Sequence, residues 1–543
     1  MKTHNVHLIP DDISLTVGHE QLLIEAMIEA DLFLRTDCGG KGRCGKCRVK
    51  IPGGGSTLSP PGDEEVKLLG VEDLRAGYRL ACLAKIIGDV EVEIPESSRL
   101  SPEVTRKGEV QLPPGIGRAE ATGYALAVDL GTTTVAVYLC DLAGGRVQGS
   151  ISVKNPQALF GDDVMSRIGA ASGNPHNRVR LQSLVIRAVD WAIGALCRTN
   201  KIAPDSLSKM VVVGNTTMIH LFVGEDVASI GVHPYSPVFV DEKNLRADEL
   251  GFRFNPSAEI ITLPLISGFL GSDIVAAALA ADLYSAPEGT VVVDVGTNGE
   301  VICRDRNGFT ATSCATGPAL EGATIRHGMQ AFSGAIDRIR VRPGGDLSCS
   351  VIRKNGRMNP KPSGICGSGI ISAVAELLRN DMLKPDGRFN SDAGFPALQP
   401  GERGIPELIL VRPENSQTGR AITLTQKDIR AVQLAKGALR TGIDLLCLET
   451  GRSRPQKLQI AGAFGSFIRE SDARTLGLFP EPQSEDFEVI GNAAGAGAML
   501  ALFDDSYRSQ AERLARETRV LDLASHPDFQ QSFVSALSFP ATT

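Results

Sequence analysis

Apolar and polar residues alternate near the start of the chain and then change to the spacing of a helix. Residues 21–30 carry apolar side chains at helical spacing, whereas the segments around them alternate as strands do. The alternating segments are residues 6–10, 14–17, 48–51 and 89–94. We therefore predict that residues 1–96 form a small domain rich in β-strands.

Longer apolar runs, each interrupted by a glycine turn, mark the rest of the chain. Two of them predict a pair of strands joined by a polar turn, at residues 124–142 and 290–305. Two others predict a strand that leads through a glycine turn into a helix, at residues 210–222 and 457–468. Helical patterns at residues 180–196 and 425–449 separate these strands, an alternation typical of a parallel α/β sheet. Residues 381–400, rich in proline and glycine, are predicted to be an exposed excursion.

Length, charge and cysteine content narrow the class of protein. At 543 residues the chain is too long for one hydrophobic core, so two to four domains are expected. The net charge of −7 and the lack of a basic stripe argue against a nucleic-acid partner. The sequence has neither an apolar run of about 18 residues, as a membrane helix needs, nor a signal-peptide pattern. Eleven cysteines are too sparse for a secreted disulfide scaffold, so we expect a cytoplasmic protein that does not bind membranes.

Residues 97–122 lack hydrophobic periodicity and combine proline, glycine and scattered charges. This composition predicts a flexible linker, with a poorly patterned part of one domain as the alternative. We predict a division into residues 1–96, a linker at 97–122 and a large domain at 123–543. The large domain is expected to have a first lobe segment at 123–208 and a main segment at 209–543 that includes a C-terminal extension.

Three cysteines lie in a loop rich in glycine and basic residues, DCGGKGRCGKCRVK, and a fourth follows in YRLACLAKI. They are Cys38, Cys44, Cys47 and Cys82. Four thiolates suit either a [2Fe–2S] cluster or a structural zinc ion. Zinc sites usually offer two short C-x2-C pairs, whereas this chain has one, so we favour the cluster. The strand order and the cysteine spacing resemble those of β-grasp ferredoxins, which implies an α+β β-grasp ferredoxin domain.

Both strand–turn–strand runs carry the same turn, Asp-x-Gly-Thr, which indicates an internal duplication. Hydroxyls and backbone N–H groups of such a turn bind phosphate oxygens, and an aspartate at the strand end holds Mg²⁺ through water. One copy would be weak support for a nucleotide site, but two copies are much stronger. We predict Asp129 and Asp294 as the catalytic carboxylates. The phosphate-binding residues are predicted to be Gly131, Thr132, Thr133, Gly296, Thr297 and Asn298.

Two further glycine turns could complete a nucleotide site. The Gly-Asn-Thr-Thr turn within residues 210–222 would lie at the ligand edge of the sheet, or would be a plain strand-to-helix connection. Gly462 and Gly465 would allow the backbone to approach a purine and its ribose closely. A tight connection without a ligand remains the alternative for that turn as well.

The paired turns and the late Gly-Ala-Phe-Gly turn resemble the ASKHA (actin, sugar kinase and heat-shock chaperone) ATPases, whose fold is an RNase H-like, two-lobed α/β domain. Together with the cysteine domain, they resemble the reductive activators of corrinoid proteins over essentially the whole chain. That resemblance implies ATP-dependent reduction of cob(II)alamin to cob(I)alamin in a methyltransferase system. The implied partners are a corrinoid protein and an electron donor such as a ferredoxin, a flavodoxin or a reductase. It also implies a homodimer formed through the ATPase domain.

Energetics favour joining an electron carrier to an ATPase. A plant-type [2Fe–2S] centre lies near about −400 mV, and cob(I) formation generally needs a lower potential. Each 59 mV of a one-electron deficit costs roughly 1.4 kcal/mol, which ATP can offset.

Two other classes stay open from the sequence. A small-molecule kinase would use the same ATPase fold without needing four cluster ligands. A redox-sensing module would bind ATP and have no corrinoid acceptor.

Overall fold

The computed structural model describes residues 2–34, 40, 42, 45–53, 55–99, 112, 116, 122–317, 319–322, 324–329, 331, 333–353, 360–401, 404–462, 468–484 and 487–541. Three predicted site residues lie outside these ranges: Cys38, Cys44 and Gly465. Most of the predicted linker also lies outside them. Within the described part of the chain, no helix is long and apolar enough to span a membrane.

The N-terminal domain contains a five-stranded sheet and two helices. Its elements are β1 (Thr3–Ile9), β2 (Ile13–Gly18), α1 (Leu23–Glu29), β3 (Arg48–Lys50), α2 (Asp63–Arg75), β4 (Tyr78–Leu80) and β5 (Val90–Glu93). The strand order is β2-β1-β5-β3-β4, with β1 and β5 parallel. This mixed sheet confirms the predicted β-grasp arrangement. The sequence analysis missed α2, whose helical pattern is broken at Gly70 by a φ of +78°.

The next part of the chain forms a six-stranded sheet covered by helices. Its elements are β6 (Tyr124–Leu130), β7 (Thr134–Asp141), β8 (Arg146–Lys154), the 3₁₀ helix Pro156–Leu159, α3 (Val164–Gly173), α4 (Pro175–Asn200), β9 (Leu207–Gly214), α5 (Thr216–Val223), β10 (Lys243–Arg246), α6 (Ala247–Leu250), β11 (Glu259–Thr262) and α7 (Ser272–Ala280). The order is β10-β11-β9-β6-β7-β8, with β9 parallel to β6. The strand predicted within residues 210–222 therefore belongs to the same sheet, as expected.

A second six-stranded sheet follows, with two small sheets beside it. Its elements are β12 (Thr290–Val295), β13 (Gly299–Asp305), β14 (Gly308–Cys314), β15 (Ala335–Val341), β16 (Leu347–Val351), β17 (Gly364–Ile365), α8 (Gly367–Arg379), β18 (Leu398–Pro400), β19 (Pro406–Val411), β20 (Ile422–Thr425), α9 (Gln426–Glu449), β21 (Lys457–Ala461), α10 (Glu470–Leu476), β22 (Phe487–Gly491), α11 (Ala493–Phe503), α12 (Asp505–Glu517), β23 (Thr518–Val520) and α13 (Phe529–Ala536). The large sheet has the order β22-β21-β12-β13-β14-β23.

The two large sheets repeat one topology, which places the two Asp-x-Gly-Thr turns at corresponding positions. In each sheet an antiparallel hairpin (β6–β7 or β12–β13) is followed by a third antiparallel strand and flanked on its other side by parallel strands. The corresponding helices α7 and α11 pack against each other in a core shared by both sheets. Their approach is close, because a Cβ at Gly497 would lie 2.0 Å from the Ala276 carbonyl oxygen.

Two details of the predicted organisation can be compared with the observed strands and burial. The division at 208/209 falls within β9, and the first large sheet continues to Thr262; the domain boundaries stay a prediction. The prediction of an exposed excursion at residues 381–400 is confirmed only in part, because about half of these residues are exposed. Met382, Leu383 and Phe389 are buried there, and β18 pairs with β19. These three apolar side chains pack into the core, although the proline and glycine content of the segment favours a loop.

Candidate functional site

Two of the four predicted cluster ligands lie side by side. The Sγ atoms of Cys47 and Cys82 are 3.2 Å apart, and both side chains are buried. Cys47 directly precedes β3 and Cys82 follows β4, and these strands pair so that Arg48 lies opposite Leu80. The Ala81 N–H also donates to the Cys47 carbonyl at 2.9 Å. With Cys38 and Cys44 outside the described residues, the four-cysteine assignment stays a prediction.

The surroundings of the two thiols fit a compact cluster loop. Gly42 has a φ of +64°, and a Cβ there would lie 2.8 Å from a methyl carbon of Leu83. Only glycine allows the backbone to turn this tightly next to the Cys82 segment. Close backbone wrapping brings N–H groups toward cluster sulfurs, so the loop suits a [2Fe–2S] group.

The helix missed by the sequence analysis supports the Cys82 segment. Glu65 of α2 is buried and accepts a hydrogen bond from Arg79 Nε at 2.9 Å and from the Leu80 N–H at 2.7 Å. Arg79 also donates to the Ser59 carbonyl at 2.8 Å. A buried ion pair with these additional hydrogen bonds fixes β4 immediately before Cys82.

The turn at residues 131–133, which we predict to bind phosphate and call the first phosphate turn, is held by polar side chains. Asn155 is fully buried; its Nδ2 donates to the Gly131 carbonyl at 3.0 Å and its N–H to the Thr133 carbonyl at 2.9 Å. Asn215, from the Gly-Asn-Thr-Thr turn, donates to the Thr132 hydroxyl at 2.8 Å. That turn therefore meets the phosphate turn, as one of the two interpretations of its sequence predicts.

A buried guanidinium lies under the same turn. Arg167 of α3 is fully buried and donates to the Thr132 carbonyl at 2.6 Å and to the Gly161 carbonyl at 3.0 Å. Burial lowers the pKa of Arg167 to about 10, while the charges of Asp162 and Asp163 raise it. The side chain therefore keeps its positive charge at neutral pH, which favours an anion at the turn above it.

The second phosphate turn lies opposite the first, and one carboxylate joins them. Glu321 accepts from the Thr133 hydroxyl at 2.8 Å and from the Thr297 hydroxyl at 3.0 Å. The two hydroxyl oxygens are themselves 3.3 Å apart. The Gly296 N–H donates to the Asn298 carbonyl at 3.0 Å, which closes the second turn. Residues predicted from distant parts of the sequence are thus brought together.

The sequence analysis did not identify Glu321 as a site residue. It lies in the segment CATGPALEG, whose glycines were visible but whose acidic residue had no periodic or spacing signal. Its role depends on contacts with Thr133 and Thr297, which are 188 and 24 positions away.

The late glycine turn begins directly beside the second aspartate. A Cβ at Gly462 would lie 2.5 Å from Asp294 Oδ1 and 2.7 Å from the Val295 carbonyl oxygen, and φ is +94°. Position 462 therefore requires glycine both for its backbone conformation and for the space. Gly465 lies outside the described residues.

Acidic side chains crowd the cleft between the sheets. Asp129 is the penultimate residue of β6 and is buried. Asp294 holds the corresponding place in β12, opposite Glu300 in the register of β12 and β13. Burial raises the pKa of Glu300 well above its ordinary value, and the charges of Asp273 and Asp294 raise it further. Carboxylate oxygens are ligands that a hydrated Mg²⁺ prefers, so Asp129 and Asp294 suit the predicted role of holding the ion through water. Within the described residues, no three histidine, cysteine or acidic side chains form a group that could hold a metal ion.

Three family models match this chain, one in the N-terminal domain and two in the rest of the chain. Residues 6–86 match a 2Fe-2S iron-sulfur cluster binding domain, residues 124–286 the RACo middle region, and residues 288–543 the C-terminal domain of RACo, the ASKHA domain. The corrinoid activation enzyme RamQ of Eubacterium limosum is 30% identical over 97% of both chains. This chain belongs to the RACo family.

Two more relatives extend the match. The [Co(II) methylated amine-specific corrinoid protein] reductase of Methanosarcina barkeri is 26% identical over 77% of each chain. A solved structure, the reductive activator for corrinoid,iron-sulfur protein, shares 28% identity with a TM-score of 0.71 and covers 99% of both chains. Membership in the RACo family confirms the resemblance, the β-grasp and ASKHA fold class, and the [2Fe–2S] and ATP cofactors. The individual ligand residues stay predictions.

Proposed function

We propose that this protein is an ATP-dependent activator that reduces cob(II)alamin in a corrinoid protein to cob(I)alamin for a methyltransferase system. The observation that carries the proposal is the presence, in one chain, of a buried cysteine pair and of two phosphate turns joined by Glu321. Three relatives that cover more than two thirds of this chain are named as corrinoid activators or reductases, which supports the same function.

Under this proposal, one set of residues would hold the cluster that supplies the electron, and another set would bind ATP. Cys38, Cys44, Cys47 and Cys82 would hold the [2Fe–2S] cluster, which supplies one electron at a potential near about −400 mV when bound. Burial of the two described thiols excludes water from that side of the site.

In the ATP cleft, three kinds of side chain have separate tasks. Asp129 and Asp294 would hold Mg²⁺ through water, and the ion would neutralise charge on the phosphates. Residues 131–133 and 296–298 would bind phosphate oxygens through their backbone N–H groups, with Arg167 adding positive charge from beneath the first turn. Glu321 would keep the two turns aligned across the cleft, because each of its oxygens accepts one hydroxyl hydrogen.

Several finer features belong to the same proposal. We propose that a ferredoxin, a flavodoxin or a reductase re-reduces the cluster, and that two copies associate through the ATPase domain. We place the reaction in the cytoplasm, with neither a membrane nor a nucleic acid as a partner. The overall charge of −7 is consistent with the absence of nucleic acid.

A reconstituted reaction tests the proposal. Holoprotein, a chemical reductant, Mg-ATP and a cob(II)-loaded corrinoid protein should yield the absorbance of cob(I), and Asp129→Ala should abolish both this signal and ATP hydrolysis while the cluster spectrum is retained. Asp141→Ala is the matched control, because Asp141 is a surface aspartate at the other end of the same hairpin, paired with Arg146. A phosphorylated small molecule as the product of ATP turnover would contradict the proposal and indicate a kinase.

A further inference from the structure

One face of the first large lobe contacts the cluster domain. It is formed by side chains spaced along α4, by the end of the 3₁₀ helix and by the loop after α6, and we call it the docking face. Its residues are Leu159, Arg180, Arg187, Trp191 and Arg253. The three from α4 are 7 and 4 positions apart, which places them on one side of the helix.

The rim of the contact consists of arginines on the lobe and acidic groups on the cluster domain. Arg180 pairs with Glu25. Arg187 donates to the Glu29 carbonyl at 2.5 Å and lies 3.5 Å from Asp31. Charge complementarity therefore joins the lobe to Glu25 of α1 and to Asp31, two residues beyond the end of that helix.

A third arginine of the lobe, Arg253, contacts both the cluster domain and α4. Arg253 Nη1 lies 2.5 Å from Asp31 Oδ2, and Arg253 Nε lies 2.6 Å from Oδ2 of Asp190 in α4. These hydrogen bonds raise the pKa of Arg253 above its ordinary value, with Asp31 the larger cause and Asp190 the next. Asp31 thus receives charged donors from two different segments of the lobe.

The centre of the contact is apolar. The rings of Phe33 and Trp191 are 5.6 Å apart, and buried side chains of the cluster domain and the lobe form one continuous core. Gly40 also approaches the lobe closely, because a Cβ there would lie 2.3 Å from a methyl carbon of Leu159. An apolar centre with a charged rim is the anatomy of a specific interface.

A short chain segment connects this interface to the first phosphate turn, and two backbone hydrogen bonds connect it to the Cys82 segment. Asn155, which binds the Gly131 and Thr133 carbonyls, begins the 3₁₀ helix that ends at Leu159. On the other side, the first N–H groups of α1 donate to the carbonyls of Ala81 and Ala84, at 2.9 Å each, on either side of Cys82. The phosphate turn and the Cys82 segment are therefore linked through the docking face.

We propose that the docking face holds the [2Fe–2S] domain on the ATPase and that the segment 155–159 makes this docking respond to nucleotide at the first phosphate turn. Ion pairs at such a partly exposed rim are individually weak and are screened by salt. The domain is therefore held reversibly, and a small displacement of residues 155–159 changes how long it stays docked. The proposal rests on the proposed function only in that the turn binds ATP; it needs no corrinoid.

The single tryptophan of the chain provides the assay, because Trp191 lies in the interface. In full-length holoprotein at low salt, Arg187→Glu should lower the docking constant about fivefold for the loss of one charged contact. Trp191 emission should then rise, because the ring is farther from the cluster that quenches it, and shift to the red as the ring loses Phe33 and gains water. Arg178→Glu is the control, because Arg178 lies on the same helix but faces Asp226 of the lobe.

A charge exchange separates a specific interface from general damage. Glu25→Arg and Arg180→Glu should each raise Trp191 emission, and the double variant should return it toward the wild-type value. All these variants should retain the cluster spectrum and ATP hydrolysis. Equal emission from wild type and Arg187→Glu, or a double variant no closer to wild type than the single variants, would overturn the docking proposal.

A nucleotide titration tests the link itself. Adding a non-hydrolysable ATP analogue to wild-type holoprotein should change Trp191 emission, and Leu159→Ala should remove this change while the analogue still binds by calorimetry. No emission change in wild type despite measured binding would overturn the link. Failure of the analogue to bind at all would instead contradict the proposed ATP site, so the two proposals fail in distinguishable ways.

Discussion

Substituting Gly462 with alanine probes whether the late glycine turn and Asp294 form one nucleotide site. The added Cβ would lie 2.5 Å from Asp294 Oδ1, well inside van der Waals contact, and the backbone has a φ of +94°. The left-handed conformation costs about 1–2 kcal/mol for an L side chain. Displacing one charged hydrogen-bonding group costs about 1.5–3 kcal/mol more, which is about ten- to hundredfold in ATP affinity.

The control for this variant is Gly451→Ala. Gly451 has a φ of +76°, but a Cβ there would meet nothing within 4 Å. Denaturant unfolding should therefore show a similar backbone cost for both variants, whereas titration calorimetry with an ATP analogue should show weakened binding only for Gly462→Ala. Equal ATP affinity in the two variants would refute the assignment of Gly462 to the nucleotide site.

Three further substitutions test separate parts of the account. Glu321→Gln should slow ATP hydrolysis about tenfold or more, because one amide oxygen replaces two acceptors of hydroxyl hydrogens; unchanged steady-state turnover would contradict its role. Cys82→Ser should bleach the visible cluster spectrum and leave ATP binding intact, whereas zinc without labile sulfide in the wild type would contradict the cluster. Burial lowers the pKa of Lys436 to about 8, so the unfolded chain binds more protons than the folded one above that pH. The unfolding free energy of wild type should then rise relative to Lys436→Met between pH 8 and 10, and a constant difference in urea melts would contradict this.

Hydrophobic periodicity was enough to predict the strands that carry the phosphate turns. The runs that became β6, β7, β12 and β13 are apolar on both faces because helices cover both sides of each sheet. The duplication of Asp-x-Gly-Thr then indicated where the ligand edge lies. The helical pattern predicted at residues 425–449 likewise became α9, which begins with both hydrogen bonds of a capping box between Thr425 and Asp428.

What the sequence could not reveal are residues whose role depends on distant partners. Asn155, Arg167 and Glu321 bind the phosphate turns across 24 to 188 positions, and none has a distinctive local pattern. The contact between the cluster domain and α4 is hidden for the same reason. Arg187 looks like an ordinary solvent-exposed arginine on a helix until Asp31 is placed beside it.

The central claim is that ATP drives an electron from the cluster of this chain to a corrinoid. The most direct measurement is a single-turnover, anaerobic stopped-flow experiment that mixes pre-reduced holoprotein with a cob(II)-loaded corrinoid protein, with and without Mg-ATP. The account predicts that cluster oxidation and cob(I) formation occur at the same rate, one electron for one cobalt, and only when ATP is present. Equal cob(I) formation without ATP, or cob(I) formation while the cluster stays reduced, would contradict it.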